Sequence, residues 1–227
     1  MEVLVPFSTD RPKSRLSDVL DAEERVRFAR TMLRDVLDAV AAADGDPRVL
    51  ATSPVDAPLG CPVDVDDRPL TTAVNAALDA RFDEPAEDPD PVAVVMADLA
   101  LATPEALGEL FAAGREADVA VAPGRGGGTN AVVAGHPAFR VDYHGASYLD
   151  HRRIAAGIGA TVAVVDSHRL ATDVDEPADR AEVLIHAEAD GAAGEGGEGD
   201  GGRAARWLRD AGFTLDTTDG RVGVERE

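Results

Sequence analysis

The run Val92-Ala93-Val94-Val95-Met96 is apolar at every position. A strand with one wetted face alternates polar and apolar residues, so an unbroken run belongs to a strand covered on both faces, as in parallel sheets packed between helices. The remaining sequence supplies those helices. Asp21 is followed three residues later by Glu24, a capping-box pattern. Ala22, Val26, Ala29, Leu33, Val36, Leu37 and Val40 then recur at the spacing of one buried helical face, predicting a helix to about Ala43. Further helices are expected over Thr71–Ala80, behind the Thr103-Pro104-Glu105 start, over Ser147–Ala156 with Ser147 as cap, and over Pro177–His186 capped by Glu176 or Asp175. Short apolar runs at Glu2–Pro6, Arg48–Thr52, Val119–Ala122, Ala131–Ala134 and Thr161–Asp166 read as strands. The alternation predicts an α/β fold with a mostly parallel central sheet flanked by helices.

Residues Ser8–Ser17 are a polar loop, and Asp83–Pro91 an acidic loop containing proline. From Gly191 to Gly202 seven of twelve residues are glycine and three are acidic, the composition of a flexible loop. The expected organisation is therefore a main domain over residues 1–190, a flexible loop over 191–202, and a C-terminal piece over 203–227. That last piece reads as a helix, Arg203–Ala211, and a hairpin around Asp219-Gly220, packing back on the domain through Trp207 and Phe213.

The 227 residues include no apolar stretch of 18, and the acidic start runs into Val3-Leu4-Val5 without a basic leader. The expectation is a cytoplasmic protein with neither membrane span nor secretory signal. Cys61 is the single cysteine, which excludes a disulfide scaffold and a cysteine-built zinc site. The net charge is −21, from 43 acids (28 Asp, 15 Glu) against 21 Arg and one lysine. Such a surface repels nucleic acid and anionic membranes. Its acids are scattered rather than clustered, which points to adaptation to concentrated salt. Where arginine has replaced lysine everywhere else, the retained Lys13 suggests a specific task.

Four segments fall where strands end and loops begin, the usual place for ligands in open α/β sheets. In the first, Lys13-Ser14-Arg15 brings cations and hydroxyls suited to a polyphosphate, without the glycines of a Walker loop. In the second, Asp98 follows the most apolar strand, placed to hold a divalent metal or to cap the next turn. The third is Arg125-Gly126-Gly127-Gly128-Thr129-Asn130, where glycines let backbone approach an anion and Thr129 and Asn130 add donors. The fourth is Asp173-Val174-Asp175, whose alternate carboxylates could share a cation or form the acidic start of a helix. A hydrolase triad of Ser147, His151 and Asp142 or Asp150 lacks the Gly-x-Ser-x-Gly elbow, and His136, His144 and His151 lack zinc-ligand spacing.

Taken in order, these segments resemble the 2-phospho-L-lactate guanylyltransferase family of coenzyme F-420 biosynthesis, in a form suited to halophilic archaea. The resemblance spans Val3 to about Leu184. It rests on Val5-Pro6-Phe7 with Lys13-Ser14-Arg15-Leu16-Ser17, Met96-Ala97-Asp98-Leu99, Gly127-Gly128-Thr129-Asn130, Gly145-Ala146-Ser147 with His151, and Asp173-Val174-Asp175-Glu176-Pro177. The loop His144-Gly145-Ala146-Ser147 is poorer in glycine than is usual in relatives. The resemblance implies a Rossmann-like nucleotide-diphospho-sugar transferase (GT-A-like) fold and a homodimer. It implies that Lys13, Ser14 and Arg15 hold the phosphates of GTP, with Lys13, Arg15 and Asp98 catalytic. Asp98, Asp173 and Asp175 would hold Mg2+. Thr129, Asn130, Gly145 and Ser147 would bind the acceptor, 2-phospho-L-lactate. Phosphoenolpyruvate differs from it by one double bond and is the rival acceptor; a non-catalytic nucleotide-binding regulator is the rival from another class.

Overall fold

The computed structural model describes residues 1–10, 12–83, 90–193, 202–218, 220 and 222–226. Most of the acidic loop (84–89), of the glycine segment (194–201) and the turn residue 219 lie outside the described residues. The elements in chain order are β1 (Glu2–Phe7), α1 (Ala22–Ala42), β2 (Asp46–Ala51), β3 (Val63–Val65), α2 (Leu70–Phe82), β4 (Val92–Val95), α3 (Pro104–Glu116), β5 (Val119–Pro123) and β6 (Thr129–Ala134). They continue with α4 (Ser147–Gly157), β7 (Val162–Val164), α5 (His168–Ala171), α6 (Asp179–Ala193), α7 (Gly202–Asp210), β8 (Phe213–Asp216) and β9 (Gly223–Arg226).

The first seven strands form one sheet in the order β3-β2-β1-β4-β6-β5-β7. All neighbours run parallel except β6, which is antiparallel to both β4 and β5. The reversal has a local cause: only residues 124–128 join β5 to β6, too few for the crossover that a parallel pair requires. Sequence reading found the strand but not its direction, and it missed β3 and α5, each too short to show a period.

The apolar run does lie at the centre. Ala93 and Val95 face one layer, with Leu33, Val36 and Val40 of α1 and Leu107, Leu110 and Phe111 of α3. Val92 and Val94 face the other, with Val74 and Leu78 of α2 and Phe139. α1 starts with the expected capping box: the Glu24 N–H donates to Asp21 Oδ1 at 2.8 Å, and the Asp21 N–H donates to Glu24 Oε2 at 3.0 Å. A third apolar cluster joins Phe28 and Met32 of α1 to Leu184 of α6, Leu208 of α7 and Phe213 of β8. Phe28 and Trp207 stack with ring centroids 4.9 Å apart, and Asp35 on α1 accepts from the N–H groups of Arg203 and Ala204 at the start of α7. α6 runs beyond the expected end at His186, so Gly191–Ala193 are helical rather than loop. Among the described residues no helix is long and apolar enough to cross a membrane.

Candidate active site

The carboxyl ends of β1 and β4 open at one edge of the sheet, and the reversed β6 begins there. The Met96 N–H donates to the Asn130 carbonyl at 3.0 Å, setting the loop after β4 beside the glycine turn before β6. The segment after α5 runs alongside both: the Val174 N–H donates to the Asp98 carbonyl at 3.2 Å, and the Arg125 N–H to the Ala171 carbonyl at 3.0 Å. Three stretches distant in sequence thus meet at one edge.

Lys13 heads a single 3-10 turn, Ser14–Leu16, pinned by the fully buried Leu16. Its backbone is left-handed (φ 56°, ψ 44°), a conformation that costs a residue with a Cβ about 1 kcal/mol. The side chain is only 8% exposed, and its Nζ lies 2.7 Å from Asp98 Oδ2 and 2.7 Å from Asp175 Oδ1. Those two contacts hold the two carboxylate oxygens within about 5.4 Å of each other. Burial works against the charge on Lys13, but the Asp98 and Asp175 carboxylates outweigh it and raise the ammonium above its ordinary pKa. Arg15 reaches Asp175 Oδ2 at 3.4 Å from the surface, and Ser14 is exposed on the same turn.

The three predicted metal-binding acids share this neighbourhood in different settings, but their ligand atoms do not all lie within 4.8 Å of one another. Asp98 Oδ1 is buried with no hydrogen-bond partner. Burial and then the neighbouring Asp98 charge raise the pKa of Asp173, against a hydrogen bond from Asn130 Nδ2 at 3.2 Å. Asp175 was expected as a possible cap for the following helix, and this is corrected: it accepts from Lys13 and Arg15 instead. Asp179, the first residue of α6, instead accepts at Oδ2 the N–H groups of Asp175 and Glu176, ahead of the helix, at 3.1 and 2.7 Å. Its Oδ1 accepts from Arg125 Nη2 at 2.9 Å. Asp179 therefore ties the carboxylate segment to the glycine turn, a role sequence spacing did not reveal.

On the other side of the glycine turn, Ser147 is the first residue of α4 rather than its cap. Its Oγ accepts the Thr129 N–H at 2.8 Å. His151, one turn further and fully buried, accepts the Asp142 N–H at Nε2 (2.9 Å). The ring hydrogen therefore sits on Nδ1, which donates to Thr129 Oγ1 at 2.9 Å. Burial lowers the His151 pKa to about 4, so the ring is neutral under ordinary conditions. No triad forms, because His151 faces Thr129 and a backbone amide rather than Ser147 and a carboxylate. With their oxygens serving as acceptors inside the fold, Thr129 and Ser147 keep their own hydroxyl hydrogens for donation. Asn130 needs revision: its amide donates to the Leu170 carbonyl at 3.0 Å and to Asp173, so it positions Asp173 and has no hydrogen left for an acceptor. Gly145 and Gly127 both hold positive φ (54° and 84°), and a side chain added at either would meet open space. Both leave room beside the backbone.

A cavity of about 280 Å³ lies beside Lys13, floored by Phe7, Leu50 and Met96 and walled by Asp98 and Asp175. Its outer rim carries Asp66 and Arg68, paired by a 2.8 Å contact from Arg68 Nε. Neither residue stood out in the sequence, because the stretch after β3 has no distinctive spacing. Asp173, Thr129 and Ser147 do not line this cavity.

The chain matches the family model described as guanylyl transferase CofC like over residues 1–226. It is 75% identical over its full length to a 2-phospho-L-lactate guanylyltransferase of Halorubrum lacusprofundi, the whole of which is covered. It is 60% identical to the protein of that name from Halomicrobium mukohataei, with both chains covered in full. Among solved structures it is similar to a candidate nucleotide-diphospho-sugar transferase from Desulfovibrio desulfuricans G20, with a TM-score of 0.70 at 16% identity, covering 92% of this chain and 94% of that one. A CMP:2-keto-3-deoxy-manno-octonic acid synthetase matches with a TM-score of 0.52 at 11% identity, covering 77% of this chain and 92% of that one. At these identities the structural likenesses establish the fold alone, that of nucleotidyltransferases.

Proposed function

The chain belongs to the CofC-like guanylyl transferase family, and on that premise we propose that it joins GTP to 2-phospho-L-lactate, giving lactyl-2-diphospho-5'-guanosine and pyrophosphate in coenzyme F-420 biosynthesis. The observation that carries the reading is the Lys13 ammonium held between Asp98 and Asp175 in the lining of a half-open, largely apolar cavity. A phosphate oxygen of the acceptor attacks the α-phosphorus of GTP. The bond from that phosphorus to the bridging oxygen breaks, and the electron pair leaves with pyrophosphate. Such a displacement asks for positioning and charge neutralisation and uses no protein nucleophile.

The cavity beside Lys13 is assigned to the nucleotide and the Thr129–Ser147 side to the acceptor. Lys13 and Arg15 neutralise the triphosphate, Lys13 mattering most as charge grows on the leaving group. Thr129 and Ser147 donate their hydroxyl hydrogens to the acceptor, and the backbone at Gly145 adds room for its anionic groups. Magnesium fits the acids present: Asp98 offers a buried, unpartnered oxygen, and Asp173 a half-buried carboxylate beside it. Asp98, Asp173 and Asp175 would hold the ion, which when bound supplies further neutralisation of the triphosphate. A cytoplasmic homodimer is part of the proposal, and sedimentation in molar KCl measures the oligomeric state.

The test is pyrophosphate release from GTP in molar KCl with magnesium, in parallel with 2-phospho-L-lactate, with phosphoenolpyruvate and with no acceptor. Release that depends on phospholactate is expected. Equal or greater release with phosphoenolpyruvate reassigns the acceptor, and nucleotide binding without release would make the chain a regulator.

A further inference from the structure

The start of α5 and one face of α6 bring two imidazoles and a carboxylate together outside the site described above. Glu182 and His186 lie one turn apart on α6, and His168 opens α5. His168 Nε2 lies 3.5 Å from Glu182 Oε2 and His186 Nε2 lies 3.9 Å from the same oxygen. One ligand atom from each residue falls within a set spanning no more than 4.8 Å, and the two rings stand 5.2 Å apart. Around a tetrahedral zinc with bonds of about 2.1 Å, neighbouring ligand atoms are about 3.4 Å apart. The His168–Glu182 separation is close to that value at 3.5 Å, the His186–Glu182 separation is 3.9 Å, and the third is no more than 4.8 Å. We propose that His168, Glu182 and His186 form a binding site for a transition-metal dication, zinc(II) being the best match.

The donor set selects the metal class. Two neutral imidazoles and one carboxylate suit zinc, cobalt or nickel, whereas magnesium prefers oxygen ligands alone. Three protein ligands leave a fourth position for water, and the side chains of His168 (50% exposed), Glu182 (31%) and His186 (24%) leave it open to solvent. Arg169 itself is engaged by Asp190 at 2.8 Å, which offsets its charge near an incoming cation. The site also has a mechanical meaning. His168 precedes and Glu182 follows the segment bearing Asp173, Asp175 and Asp179, so one ion would fasten both ends of that segment.

The test titrates the full chain, stripped by chelator and held in molar KCl with excess magnesium, first with Co2+ and then with Zn2+. Expected are a saturable visible absorption of low-coordinate cobalt at one equivalent, its displacement by zinc, and no near-ultraviolet thiolate band from Cys61. His186→Gln and Glu182→Gln should each weaken zinc binding at least about tenfold, since even outer partners of metal ligands cost 10–100-fold. Asp98→Asn should leave it unchanged, separating this site from the magnesium site. No saturable binding overturns the proposal. So does binding with unchanged affinity in both Gln variants, provided their melting confirms that they fold.

Discussion

Replacing Lys13 by methionine keeps the length and apolar stem of the side chain and deletes only its charge. Asp98 and Asp175 would then face each other, with Asp173 beside them and no internal cation between. Breaking a buried ion pair by removing one partner costs about 3–5 kcal/mol, but both acids here are a quarter to a third exposed, so about 2–3 kcal/mol is the better figure. For a chain of this size that is a loss of roughly 5–10 °C in melting temperature. The measurement is calorimetric melting in molar KCl with a chelator at pH 7. Added magnesium should recover part of the loss at pH 7, because a dication can stand where the ammonium stood. A variant melting within 2 °C of the parent would refute the view that Lys13 is the counter-ion of these acids. Turnover in the variant should fall about 30- to 1,000-fold, for ~2–4 kcal/mol of lost transition-state contact.

Asp173→Asn should abolish magnesium-dependent turnover while raising the melting temperature at pH 7. Because the folded pKa of Asp173 is raised, its stabilising share is present below about pH 3.8 and lost as pH climbs through the folded value; the gain in the variant should vanish in acid, and a variant less stable at pH 7 would contradict this. His151 titrates the other way: with a pKa near 4 against an ordinary 6.5, it contributes on the order of 3 kcal/mol that is complete above pH 6.5 and lost as pH falls toward 4. His151→Gln should lack that acid sensitivity, and an unchanged difference between parent and variant from pH 7 to 4.5 would refute it. Ser147→Ala leaves the Thr129 N–H unpartnered, so it should cost about 1–3 kcal/mol of stability and raise the KM of the acceptor but not of GTP. With 43 acids against 22 bases, the melting temperature should fall on dilution from molar KCl into low salt, and a rise would count against salt adaptation.

What could be read in advance was local or one-dimensional. The α1 cap depends on two side chains three residues apart, and the burial of Val92–Val95 on an unbroken apolar run; both are properties of contiguous residues. Lys13, Asp98 and Asp175 were found because strand ends are where ligands gather, and the resemblance supplied their order. The direction of β6 was not legible, since a strand carries the same alternation either way up. Neither were the partners of Asn130 and Asp179, because a side chain's type says what it can donate or accept but not which tertiary neighbour uses up that capacity. His151 is the clearest case. Its two bonds reach Asp142 and Thr129, nine and twenty-two positions away, and only their joint geometry fixes which nitrogen carries the hydrogen.

The single reversed strand has a consequence for what else the sheet can tolerate. Because β6 enters at the same edge where its neighbours leave, every catalytic or ligand-holding segment proposed here sits on one rim. The opposite rim holds the connections from α1 to β2, α2 to β4, α3 to β5 and α4 to β7, together with the exit of β6 toward Gly145 and Ser147. Apart from that exit, this rim is where the architecture can lengthen, shorten or accept a graft without touching chemistry. A fluorescent reporter or affinity tag placed between Asp83 and Asp90 would ride on the protein's back, leaving the working rim free for nucleotide and acceptor.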